Sequence, residues 1–218
     1  MRGPSIPRAT PALAGFAAFV VIAGCATPLA GQAPRKPVTP ASTWASVFIV
    51  GYPGIGHFSS PVGPDGSTAV QNWNFGSGLG LGLAAAHNIG TAAQVGLEAT
   101  LAPSVGVEIT DSTGTTTTTG NSSVGDVFAT GRLMTGGGAG LGLFLAGGVG
   151  AMFFGMPSPA SSATDLAYRF GGGVEYQFNP RRAAFLEWGS IGAFHKHHGV
   201  SSNTIHFSQL RGGIRIGW

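Results

Sequence analysis

The sequence predicts an all-β protein, an eight-stranded antiparallel up-and-down transmembrane β-barrel. About eight segments alternate apolar and polar residues with period two, which places the apolar residues of each segment on one face of a strand. Only 9% of the 218 residues are charged, against roughly 25% in a typical soluble domain. After the first 25 residues no apolar run reaches about 18 residues, so strands rather than helices are expected to cross a membrane.

The N-terminal region has the composition of a secretory signal peptide. Arg2 and Arg8 precede a short apolar stretch, which is too short for a membrane span. The only cysteine, Cys25, ends a lipobox-like sequence and is a candidate lipidation site; the alternative is cleavage after it, as at Ala26. The Pro-rich segment that follows lacks hydrophobic periodicity. The predicted domains are a signal peptide at residues 1–25, a periplasmic tether at 26–42 and the barrel at 43–218.

The first four strands are predicted near residues 43–52, 72–86, 92–109 and 124–134. Strand one is apolar on both faces, so its orientation is left open. Strand two turns Phe75 and its leucines outward and its glycines inward, which suits a narrow lumen shared by side chains from opposite walls. Strand three turns Val105 and Val107 outward, and its Pro103 predicts a bulge. Strand four alternates in the same way.

The last four strands are predicted near residues 139–153, 166–178, 183–193 and 208–218. Strand five presents leucines outward, and strand six presents mainly aromatic and aliphatic residues outward. Strand seven sets Leu186 and Trp188 against an inward Glu187. The outward face of the last strand is Leu210, Gly212, Ile214, Ile216 and Trp218.

The connections are predicted to alternate between long and short. Bacterial barrels have long external loops, short periplasmic turns and both termini inside, and a long connection is also predicted over 195–202. Aromatic residues near the strand ends predict the two girdles that mark the membrane–water interfaces. One girdle is expected to contain Trp44, Tyr176, Phe178 and Trp218, and the other Tyr52, Trp73, Phe75 and Phe194.

The signal peptide, the amphipathic strands, the Asn179-Pro180 turn and the terminal Trp218 resemble the small bacterial outer-membrane β-barrel domain family, the opacity-like and porin-like proteins. The resemblance covers about residues 43–218 and is architectural. It implies residence in the outer membrane of a Gram-negative-type bacterium, with adhesion, immune contact, small-solute passage or envelope stability as alternative roles. It also implies that the outward residues of the last strand form the signal read by the barrel-insertion machinery.

The inward faces are expected to carry a network of charges. An eight-stranded barrel is barely wide enough for its own side chains, and buried charges must pair because an unpaired buried ion is costly. We therefore expect a salt-bridged plug; the alternative is a narrow pore lined by the same charges. The expected lumen residues are Glu98, Glu108, Asp126, Arg132, Arg169, Glu175, Glu187, Arg211 and Arg215.

Enzymatic and metal-binding functions are not expected. Eight-stranded barrels that deacylate lipid A use a histidine, a serine two residues later and an acid, and His206 and Ser208 have that spacing. However, a nucleophilic serine needs a base that is itself oriented by a third group, and no acidic residue follows Glu187. Imidazoles are metal ligands, but no carboxylate or thiolate flanks the weak metal candidates His195, His197 and His198.

The expected partners follow from this architecture. They are outer-membrane lipid, the insertion machinery and an extracellular partner bound through the loops 53–71 and 110–123. No cofactor is expected, and the barrel is expected to be a monomer. Without Arg2 and Arg8, nine of the eleven basic residues remain against eight acids, so no basic surface for nucleic acid is expected.

Overall fold

A computed structural model of the chain describes residues 41–60, 71–110, 116–135, 139–155, 163–197 and 200–218. Each strand pairs with its neighbours in sequence, and β1 pairs with β8, so the sheet closes. The predicted eight-stranded antiparallel barrel is confirmed. In the described residues, no helix is long and apolar enough to cross a membrane. The strands are β1 (Thr43–Ser60), β2 (Gln71–Ile89), β3 (Ala93–Thr110), β4 (Thr116–Met134), β5 (Gly140–Gly155), β6 (Ala163–Asn179), β7 (Arg182–His197) and β8 (Val200–Gly217).

The outer wall of the barrel is an apolar belt. Leu79 is 70% exposed and Leu145 is 68% exposed, although large aliphatic side chains are normally buried in a water-soluble protein. Each strand contributes alternate residues to this belt, as the period-two pattern predicted. Further members of the belt are Ile49, Leu81, Leu83, Leu97, Leu101, Val127, Leu133, Leu141, Leu143, Val149, Leu166, Phe170, Ile214 and Ile216. A belt of this kind is a surface for lipid.

The two ends of the barrel differ. One end, called the terminal end below, carries Ala41, Trp218 and the turns after β2, β4 and β6, where Gly90 has a left-handed φ of 69°. The opposite end is called the distal end. The strands have 16 to 19 residues, whereas about 9–11 tilted residues suffice to cross a bilayer. The strands are therefore longer than a bilayer crossing requires, and the parts of β1, β2 and β4 beyond the predicted strands lie at the distal end.

These extensions correct the predicted loops. Residues 53–60 belong to β1, residue 71 to β2, and residues 116–123 to β4, all outside the strands predicted from the sequence. Only residues 198 and 199 separate β7 from β8, where a longer connection was predicted. The regular alternation of long and short connections is therefore wrong as a description of this fold.

Irregularities in β2 and β3 turn some residues to the opposite face from that predicted. The pairing shifts between Ala102 and Val105, next to Pro103, so the bulge predicted there is confirmed. A second shift lies between Phe75 and Gly78 in β2. An extra residue reverses the facing of the residues beyond it. Phe75, Val105 and Val107 are consequently buried inside the barrel, not outward as predicted.

Three aromatic residues of the predicted girdles lie inside the barrel: Phe75 because of the irregularity in β2, and Trp44 and Tyr52 because they share the inward face of the regular part of β1. Trp44 and Tyr52 are each 3% exposed, and Phe75 is 2% exposed, so they lie inside the barrel. Tyr176, Phe178 and Trp218 are exposed at the terminal end, and Phe194 is exposed towards the distal end. The side chain of Trp73 lies outside the described part of the chain.

The inward glycines are covered by aromatic rings from neighbouring strands. A Cβ atom at Gly82 would overlap the ring of Phe48, and one at Gly213 would lie 2.5 Å from the Phe48 Cβ. A Cβ at Gly173 would lie 2.7 Å from Phe144 Cζ. These glycines therefore make room for rings that fill the lumen, rather than leaving gaps in it.

Candidate functional site

The first component of the lumen is a chain of ion pairs formed by β3, β6, β7 and β8. Arg211 Nη1 donates to Glu98 Oε1 at 2.7 Å. Arg169 donates to both Glu98 and Glu187. All four side chains are at most 9% exposed. Arg211 also donates through Nε to Gln209 Oε1 at 3.0 Å. This group, Arg211–Glu98–Arg169–Glu187, crosses the lumen and ties four strands together.

A second ion-pair group lies nearer the terminal end. Glu175 Oε2 accepts hydrogen bonds from Arg132 at 2.8 Å and from Arg215 at 2.6 Å. The Arg132 guanidinium lies 3.3 Å from the centroid of the Phe144 ring, a distance at which cation–π attraction contributes. Arg215 Nη2 donates to Gln94 Oε1 at 2.7 Å. The group Arg132–Glu175–Arg215 therefore joins β4, β6 and β8, and Gln94 connects it to β3.

The start of the barrel is held by hydrogen bonds at the terminal mouth of the lumen. Gln94 Nε2 donates to Asn88 Oδ1 at 2.6 Å, and Asn88 Nδ2 donates to the carbonyl of Ala41 at 2.6 Å. The Ala41 N–H donates to the carbonyl of Pro180 at 3.3 Å. Trp44 lies buried beside this segment, with the Arg215 guanidinium 4.9 Å from its ring.

Asp126 lies at the distal limit of the paired charges. Its Oδ2 accepts a hydrogen bond from the Thr100 hydroxyl at 2.5 Å, and the residue is 1% exposed. On the terminal side of Asp126, a cavity of about 60 Å³ lies among Arg132, Arg211 and Glu98. This volume can hold a few water molecules. Four guanidinium groups thus share the lumen with the carboxyl groups of Glu98, Asp126, Glu175 and Glu187, and a fifth carboxyl group, that of Asp165 in β6, is also buried.

Glu108 does not join this network, although the sequence predicted that it would. The bulge near Pro103 reverses the facing of the strand, and Glu108 is exposed on the outer wall. The structure brings the other eight predicted lumen residues into the interior. Sequence reasoning did not include Gln209 or the buried Asp165; the parity that Gln209 shares with Arg211 would have identified it.

The distal half of the lumen contains an apolar cluster that the sequence reasoning missed. Phe207 packs against Phe75 and Phe154, with ring centroids 5.1 and 5.9 Å away. Gln209 donates to the Tyr52 hydroxyl at 3.0 Å at the base of the cluster. The cluster consists of Val50, Tyr52, Phe75, Ala102, Val105, Val107, Val124, Phe128, Met152, Phe154, Ala167, Ile191, Ala193 and Phe207. This half is packed like the core of a water-soluble barrel.

The remaining candidates lie on the outer wall of the barrel or outside the described residues. His206 is exposed and Ser208 is half-buried on the outward face of β8, and no acidic residue lies on the outward faces of the described parts of β6, β7 and β8. His195 and His197 lie in β7, but their side chains, together with His198, Cys25, the signal peptide and residues 26–40 of the tether, fall outside the described residues. Leu210, Gly212, Ile214, Ile216 and Trp218 all lie on the lipid-facing side of the barrel end.

Solved structures with a similar fold include the following two outer-membrane proteins. Neisserial surface protein A aligns with a TM-score of 0.57 and 10% identity, over 83% of this chain and all of the other. The outer membrane protein OprG of Pseudomonas aeruginosa aligns with a TM-score of 0.55 and 12% identity, over 82% of this chain and 97% of the other. No protein-family model matches the chain, and no curated protein is significantly similar to it in sequence. At these identities the likeness shows the fold.

The apolar belt supplies an independent argument for the location. A closed barrel pairs all the backbone groups that face the bilayer, which is the condition for crossing it with strands. The chain combines this closure with a lipid-facing belt and a charged interior, as outer-membrane barrels do. The protein is therefore an outer-membrane β-barrel, in agreement with the prediction from the sequence.

Proposed function

We propose that this protein is a closed, non-enzymatic barrel that acts as a rigid stem for contacts made at the cell surface. The observation that carries the proposal is the double filling of the lumen. Two paired groups of charges occupy its terminal half, and the apolar cluster around Phe207 occupies its distal half. Passage of an ion would require both layers to open, and the rings and aliphatic side chains that make up most of the apolar layer cannot replace the ion's hydration shell.

We further propose that the terminal end faces the periplasm and the distal end faces outward. Both termini of outer-membrane barrels lie inside. On β3 and β4 the outer wall beyond the belt is polar, with Ser104, Asn121 and Ser123 exposed, while Val105 and Val124 are buried behind it. A wall that is polar outside and apolar inside suits water rather than lipid. This part of the barrel would then stand above the membrane and carry the surface contacts.

Conductance across planar bilayers tests whether the barrel is closed. The wild-type protein should give no current steps, because both layers of the lumen are filled. A variant with Phe128→Ala, Phe154→Ala and Phe207→Ala in the cluster, combined with Arg211→Ala and Glu98→Ala in the charged group, serves as the opened control. Steps from the wild-type barrel at the level of that control would favour the narrow pore and contradict the proposal.

The orientation and the surface role need separate tests. A Gly66→Cys variant, in the connection between β1 and β2, should react with a membrane-impermeant maleimide on intact cells; protection there would contradict the orientation. Replacement of residues 61–70 by a Gly-Ser linker should weaken contacts between cells that express the protein. The measurement is the sedimentation of a cell suspension, which should become slower. Unchanged lipid A mass on expression would agree with a non-enzymatic barrel, and a His206-dependent loss of an acyl chain would overturn it.

A further inference from the structure

The arginines of the described barrel fall into two classes. Arg132, Arg169, Arg211 and Arg215 lie inside, and each is paired with a glutamate. Arg181 and Arg182 lie at the turn between β6 and β7, and both are exposed. Within the described parts of the chain, neither of these two guanidinium groups has an ion-pair partner. Only 9% of the residues of the chain are charged, and these two adjacent cations have no ion-pair partner among the described residues.

The register places Arg182 on the lipid-facing side of the wall. Arg182 is paired directly with Ile216 of β8, and side chains that are directly opposite in a ladder point to the same face. Ile216 is 55% exposed as part of the belt. The Arg182 side chain therefore emerges at the terminal rim of the apolar surface, beside groups that contact acyl chains.

Backbone contacts hold this turn in place. The N–H of Arg181 donates to Asn179 Oδ1 at 2.9 Å. The carbonyl of Arg181 accepts a hydrogen bond from the Gly217 N–H at 2.9 Å. The turn is thus attached to the end of β8, so both arginines are presented from a fixed position on the rim.

Exposed aromatic residues mark the depth of this rim in the bilayer. Tyr176 and Phe178 pack edge to face with their ring centroids 5.1 Å apart, and Trp218 is 62% exposed. Aromatic side chains of this kind sit at the level of the lipid headgroups. Both arginine residues are consequently at the rim where the phosphates of the lipid lie, and guanidinium groups bind phosphate in bidentate geometry.

We propose that Arg181 and Arg182 form a binding site for the phosphate of an anionic phospholipid at the terminal rim, with Ile216 and Phe178 contacting its acyl chains. The lipid, rather than free phosphate, is the ligand because Arg182 shares its face with the apolar belt. The site depends on the barrel crossing a bilayer, and it is independent of the closed lumen and of which end faces the periplasm.

Native mass spectrometry of the full-length mature barrel tests this site. The barrel is released from liposomes that contain phosphatidylglycerol and phosphatidylcholine with identical acyl chains, and the ratio of the two bound lipids is measured. The wild type should retain phosphatidylglycerol preferentially. Each lost arginine should lower the ratio roughly five-fold, and the R181Q/R182Q variant should lower it roughly 30-fold.

Three controls make the outcome decisive. The R181K/R182K variant keeps both charges and should retain most of the preference, and K196Q removes a charge at the distal end of β7 and should retain all of it. Inorganic phosphate should not displace the lipid. A double variant that folds, judged by its shift on an unheated gel, and keeps the wild-type ratio would overturn the proposal. So would an equal loss in K196Q or displacement of the lipid by free phosphate.

Discussion

Replacement of Glu98 by glutamine would test whether the ion pairs hold the barrel together. The Glu98 carboxylate accepts from Arg169 and from Arg211, and the three side chains are 9%, 3% and 2% exposed. Removing one partner of a buried ion pair costs about 3–5 kcal/mol, because a charge remains in a poorly solvated site. Arg169 keeps Glu187 as a partner, so we expect a loss near the lower limit, about 3 kcal/mol.

Urea unfolding of the barrel in phospholipid vesicles, followed by tryptophan fluorescence, measures this loss. Glu108→Gln is the matched control, since it makes the same chemical change in the same strand at an exposed position. The control should cost less than about 1 kcal/mol. In a Glu98→Gln/Arg211→Met variant, the second change should cost less than Arg211→Met alone, because its partner charge is already gone. Equal losses for Glu98→Gln and Glu108→Gln would refute the reasoning.

Three further changes probe the packing. Gly82→Ala should cost about 1–3 kcal/mol in the same unfolding assay, because its methyl group would overlap the Phe48 ring. The control Gly106→Ala should cost little, since the nearest neighbour of its Cβ would be 3.8 Å away. Equal losses would contradict the inference that the Phe48 ring occupies the space over Gly82. Phe207→Ala should cost about 3–5 kcal/mol yet produce no current steps, since the charged groups still fill the lumen; steps would show that the cluster alone closes it. Trp218→Ala, at a residue 62% exposed, should reduce the yield of folded barrel in cells with little change in its urea midpoint, and an unchanged yield would argue against the insertion signal.

Much of the interior could be predicted because facing is a local property. Successive side chains of a strand point to opposite faces, so the positions of Glu98, Arg169, Glu187 and Arg211 relative to their apolar neighbours already indicated that they share the lumen. The prediction needed no knowledge of which strand lies opposite which. The predicted facing of a charged residue was correct wherever no bulge separates that residue from the hydrophobic segment of its strand.

The prediction for Glu108 was wrong because a bulge reverses the facing of every residue that follows it in the strand. Pro103 indicated the bulge, but only the pairing of β3 with β4 shows that the facing is reversed beyond it. Val105 and Val107 moved into the lumen for the same reason. The distal apolar cluster could therefore not be read from the alternation of these strands alone.

The sequence by itself determined that this chain closes into a barrel with lipid outside and charges inside. The period-two pattern gathers the leucines on one face of the strands, and the low content of charge makes that face a surface for lipid rather than for water. The tertiary structure decided which charges meet and how the lumen is filled. Arg211 forms an ion pair with Glu98, which is 113 positions away in the sequence. Phe48 covers glycines of both neighbouring strands. Such contacts depend on the register of the closed sheet, which is set by all eight strands together and by no segment alone.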